Sequence, residues 1–169
     1  MKKVIFIVTA IIMFIVPFPS WIYSIVKWIK FDAKCGNYLQ LSADANSIEI
    51  AEKHLTKAIE YLEKNNITSG YTKIFVYKPK NDIGLWYANL KSAQKQLQDI
   101  IKKGDCSELE ESNMLMKLRE TLLNEDDYPT LPLGISNHHN YTLIFWLNCT
   151  LWLSWVLSLT FIILAIETY

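Results

Sequence analysis

The chain has 169 residues, 51% apolar and 20% charged, and its 17 basic residues balance 17 acidic ones. That length holds one modest domain, and zero net charge withholds the electrostatic footprint that a nucleic-acid partner needs. Arg119 is the single arginine beside 16 lysines, and with the many Ile and Asn this composition suits an AT-rich genome.

The first element is the run Val4 to Val26, 23 residues without a charge. About 20 apolar residues cross the hydrocarbon core, and only a helix satisfies its own backbone there. "MKK" before an apolar stretch also resembles a secretory signal, but no small-x-small cleavage site follows. Asp32, Ala33 and Lys34 before Cys35 exclude a lipoprotein signal, which needs small apolar residues there. The expectation is an uncleaved anchor over residues 1–30, kinked by Pro17 and Pro19. Beyond the prolines, Trp21, Ile25 and Trp28 fall on one side, with Lys27 and Lys30 placed to snorkel at an interface.

Residues 31–127 predict a small antiparallel domain of three coiled-coil-like helices, giving an all-α chain. Leu41, Ala45, Ile48, Leu55, Ile59 and Leu62 mark the seam of a first helix, interrupted by Glu52. "NNITSG" ends it. Asp82 caps a second, whose seam is Ile83, Trp86, Leu90, Ala93, Leu97 and Ile100 and whose stop is Gly104. Ser107 and Glu110 form a capping box that opens the third, with Leu115, Leu118 and Leu122 as its buried stripe. "YTKIFVYK", residues 71–78, has strand composition but needs a partner, for which the extended "YPTLPLGIS" is a candidate. Residues 128–140 read as a linker. The second anchor, 141–169, contains 26 uncharged residues from Tyr141 to Ile166.

Two long helices, one leaving and one returning, bring the turn that holds Cys106 back to the level of Cys35. These are the two cysteines outside the apolar runs. A disulfide between them would close a loop of about 70 residues, worth on the order of 4 kcal/mol in the chain-entropy model. It would require an oxidising compartment, which places the domain outside the cytoplasm.

Sequence signatures of catalysis are missing: no Gly-rich phosphate loop, no H-E-x-x-H, no G-x-S-x-G. No catalytic, cofactor-binding or metal-ligating residue is assigned. His54 sits among charged residues and reads as surface, and "NHHNY" as a polar interfacial loop. The carboxylates of "SELEES" cap a helix.

Two groups of residues suggest interaction. Tyr71, Phe75, Tyr77, Trp86 and Tyr87 gather at the far end of the expected hairpin, either as a partner site or as the cap of a small core. In the second anchor, Asn148, Ser154 and Ser158 lie among leucines and tryptophans, and the Ser154–Ser158 spacing lets another helix approach closely.

"FDAKCGNYL", "GYTKIFVYKPKNDIGLWYANLK" and "SNMLMKLRETLL" resemble stretches of uncharacterised small bacterial two-span membrane proteins, a likeness that brings no activity with it. The combined expectation is a non-enzymatic accessory or scaffold subunit of the bacterial plasma (inner) membrane. It binds the lipid bilayer and either self-assembles as a homo-oligomer or joins a membrane-protein partner. The alternative is a small pore-forming or membrane-perturbing protein of the holin or immunity kind. A membrane-bound enzyme is a third class.

Overall fold

The structure, a computed structural model, describes residues 2–15, 18–73 and 77–167. Those residues are mainly helical and contain no strand. The chain divides into two compact units, one of residues 1–27 with 139–169 and one of residues 28–138.

The amino-terminal run forms two 14-residue helices, α1 (Lys2–Ile15) in the first unit and α2 (Phe18–Phe31), whose last four residues belong to the second. Pro19 stands at the second position of α2, where a missing N–H costs nothing. Fourteen residues rise only about 21 Å, short of the hydrocarbon thickness. The carboxy-terminal helix, α7 (Tyr141–Glu167), contains the one stretch among the described residues long and apolar enough to cross a membrane, Thr142–Thr160. α1 packs against α7. Among the described residues, the buried positions on α7 are Ile144, Leu151 and Ser158, spaced by sevens as a helix–helix seam requires. Its other sides expose Trp146, Trp152, Leu153, Leu159 and Ile163.

The second unit is a bundle of α3 (Asn37–Ala43), α4 (Ile48–Lys64), α5 (Ile83–Lys103) and α6 (Glu108–Leu122). A wide π turn, Asp32–Gly36, leads from α2 into α3. It bulges toward the core, burying Cys35 and Gly36, and Gly36 lacks the Cβ that would meet Asp32 Oδ1 at 2.5 Å. The helix ends follow their sequence signals. Asp82 Oδ1 accepts from Leu85 N at 3.1 Å, and Gly104 closes α5 in the left-handed region at φ 66°. Ser107 and Glu110 make the reciprocal pair, Glu110 N to Ser107 Oγ at 3.3 Å and Ser107 N to Glu110 Oε2 at 3.2 Å. On α5, Ile83, Leu90, Ala93 and Leu97 are buried as the spacing predicts, while Trp86 and Ile100 are half-buried.

The expected long first helix does not form. It breaks at Asp44–Ser47, where Asp, Asn and Ser compete for backbone hydrogen bonds. Ser47 is extended and caps α4, its Oγ accepting from Ile50 N at 3.4 Å, and Glu111 Oε1 accepts from Ile48 N at 3.3 Å. α3 and α4 therefore fold back on each other, with Ser42 Oγ donating to Ala51 O at 2.7 Å across small residues. The face changes with the break: Leu39 is 1% exposed, whereas Leu41, expected in the seam, is 49% exposed.

α4 and α5 run antiparallel, joined along their length by polar pairs. Gln98 Nε2 donates to Glu52 Oε1 at 2.8 Å, Gln94 Nε2 to Thr56 Oγ1 at 2.7 Å, and Tyr87 OH to Glu63 Oε1 at 2.6 Å. Glu52, which interrupts the hydrophobic pattern, is thus an acceptor within the seam, and also takes the Thr56 hydroxyl at 2.9 Å. Burial, then the Glu63 carboxylate, push the Tyr87 phenol up to about 12. The neutral phenol's contribution to stability is complete below its ordinary value of 10.0 and lost as pH rises through about 12. Glu63→Gln should bring this ionisation back toward 10, read as tyrosinate absorbance against the parent protein.

Of the expected strand at residues 71–78, residues 74–76 lie outside the described residues, and the flanking backbone makes local contacts. Tyr71 bridges to Asp82, with Thr72 N to Asn81 O at 3.0 Å and Ile83 N to Gly70 O at 2.8 Å. The connecting stretch, residues 128–140, touches the bundle: Thr130 N donates to Leu122 O at 2.8 Å, Trp86 Nε1 to Thr130 O at 2.8 Å, and Ile135 is buried.

Candidate functional site

Within the first unit the sequence-predicted packing residues separate. Ser158 is the contact residue, 3% exposed, its Oγ donating to the carbonyl of Ala10 at 3.1 Å, and Ala10 is equally buried. Ala10 is small, so the two backbones come close enough for a hydroxyl to bridge them. Ser154 is half-buried and donates to Leu151 O of its own helix at 2.8 Å, and Asn148 is half-buried. Of the two serines, Ser158 meets α1 and Ser154 bonds within its own helix. Ser158→Ala should cost about 0.5–1.5 kcal/mol of helix-pair stability, and Ser158→Leu about 1–3 kcal/mol, read as thermal unfolding in detergent.

In the second unit, three contacts define one end of the bundle. Phe31 meets Tyr61 edge-on at 6.0 Å, Tyr87 meets Glu63, and Trp86 meets Thr130. Phe31 lies where the chain enters this unit and Thr130 shortly precedes its exit, and this entry and exit end is called basal. The aromatic group expected at the far end of the hairpin lies here instead. It is also divided. Trp86 faces Thr130, and Tyr87 faces α4, whereas Tyr71 and Tyr77 form an exposed edge-to-face pair at 4.9 Å. Phe75 lies outside the described residues. A groove of about 530 Å³ runs between Lys73, Lys80 and Trp86 on one side and Thr130–Leu133 on the other. Its volume is in the range of small-ligand sites. No carboxylate lines it.

The cysteines correct a further expectation. Cys35 and Cys106 are both free. The reason is a count of reversals: the break at Asp44–Ser47 adds one, so the turn after α5 falls at the end opposite Cys35. Cys106 shares a shallow pocket with Ile48 and Glu111 at the start of α4, while Cys35 lies by Tyr61 near its end. Those levels are about 13 residues apart on α4, roughly 20 Å, far beyond disulfide reach. The redox argument for placing the domain outside the cytoplasm falls with the bridge. Burial, then Asp32, push the Cys35 thiol far up, so it is a poor nucleophile.

Arg119 was not singled out from sequence, yet its guanidinium joins three segments, donating from Nη1 to Asp44 after α3 and from Nη2 to Asp127 at 2.9 Å. A lone arginine among lysines was the available signal, since a planar fork suits two carboxylates at once. His54, read as surface, is half-buried and stacked on Tyr38 at 6.0 Å, with Nδ1 buried and unpartnered. Among the described residues, no three His, Cys, Asp or Glu side chains converge as a metal would need.

No family model matches the chain, and neither the curated proteins nor the solved structures contain a match.

Proposed function

We propose that the chain is a non-enzymatic accessory or scaffold subunit of the plasma (inner) membrane of a bacterium, anchored by two apolar segments that flank a helical bundle. α7 makes one crossing. α1 and α2 together make the other, α1 in the hydrocarbon and α2 toward the interface, where Trp21 and Trp28 are exposed. The observation that carries this reading is the pairing of α1 with α7 through Ala10 and Ser158, which leaves the rest of α7 as an apolar, tryptophan-rich surface. Water would not support so large an exposed apolar area, whereas lipid or another membrane helix would. Aromatic residues of this size are the usual anchors of a helix–helix interface.

The test is to extract the full chain in mild detergent and weigh what travels with it by native mass spectrometry. A stoichiometric second protein, or a defined homo-oligomer, supports a subunit role. A monomer that makes vesicles leak dye would replace it with the membrane-perturbing reading.

A further inference from the structure

We propose that the basal end of the bundle docks on an anionic phospholipid surface, through Lys73, Lys78 and Lys80 together with Tyr77, Leu85 and Leu133. This rests on the bilayer anchoring argued above. Three observations meet there. First, residues 64–81 carry four lysines and no carboxylate, whereas residues 102–112, past the other end of α5, carry two lysines against four carboxylates. That stretch is a local run of lysines, bounded by Glu63 and Asp82, whose carboxylates accept from Tyr87 OH and from Leu85 N.

Second, the basal end also exposes large apolar side chains. Tyr77 is 69% exposed, Leu133 71% and Leu85 48%, beside the carboxylate-free groove that Lys73 and Lys80 border. Lysines around aromatic and leucine side chains are the pattern of an interfacial contact: the apolar groups enter the headgroup layer and the ammonium groups meet phosphate. Third, the chain connects to both apolar segments from this end. Phe31 closes α2, and only seven residues lie between Leu133 and Tyr141, the first of α7. A protein partner of acidic character would satisfy the charge but not this continuity with the anchors.

The experiment uses the full chain reconstituted in vesicles of neutral phosphatidylcholine and in vesicles containing phosphatidylglycerol. Amide hydrogen exchange is followed over residues 77–82, and flotation reports anchoring. The expected result is flotation in both, with exchange over 77–82 slowed roughly tenfold in the anionic vesicles only. High salt should reverse the slowing, and Lys73→Gln, Lys78→Gln and Lys80→Gln together should abolish it without changing the thermal midpoint. Flotation with equal exchange in the two lipids overturns the docking alone. Failure to float with either overturns the anchoring as well.

Discussion

Leu39→Ala should lower the stability of the bundle by about 2–5 kcal/mol, while Leu41→Ala should change it by less than about 0.5 kcal/mol. Both are leucines of α3, two residues apart, and they point to opposite sides of the helix. Leu39 is enclosed in the core that Phe31, Cys35, Leu55, Ile59 and Leu118 also build, so truncation leaves a cavity that rigid neighbours fill poorly. Leu41 is half in solvent, and removing it takes away little contact. The pair distinguishes the folded-back α3–α4 arrangement from one continuous helix, in which Leu41 would occupy the seam. Denaturant titration in detergent, followed by circular dichroism, measures both. Equal costs would mean that the break at Asp44–Ser47 is misplaced.

In a Cys149→Ser background, a membrane-impermeant maleimide should label Cys106 without prior reduction, and Cys35 at least roughly 100-fold more slowly. Cys35 is fully enclosed and its thiolate is disfavoured, so it reacts only when the π turn opens. Cys106 is partly exposed, and although burial and then Glu110 and Glu111 raise its thiol, reagent reaches it directly. If neither reacts until a reductant is added, the two are bridged and the count of helix reversals fails. The same labelling in intact cells fixes the side of the membrane. Reaction before permeabilisation puts the bundle outside, and reaction only afterwards puts it inside.

Local signals carried much of this architecture. Asp82, Gly104 and the Ser107–Glu110 pair each satisfy backbone groups within a turn of themselves, so their caps were legible without knowing any neighbour. The seam of α5 was legible because one face of that helix is continuously covered.

What the sequence by itself determined is therefore the helical class, the apolar ends, the caps, and the face that α5 buries. The tertiary structure alone decided that "ADANS" is a reversal and not a bend. Each alternative satisfies the local hydrogen bonds, and only the close approach of Ser42 to Ala51 and the burial of Leu39 separate them. That one reversal sends Cys106 away from Cys35 and brings the aromatic loop to the basal end. Placement after a turn depends on contacts between residues distant in sequence, such as Phe31 with Tyr61 and Trp86 with Thr130. No periodicity within a single helix encodes them.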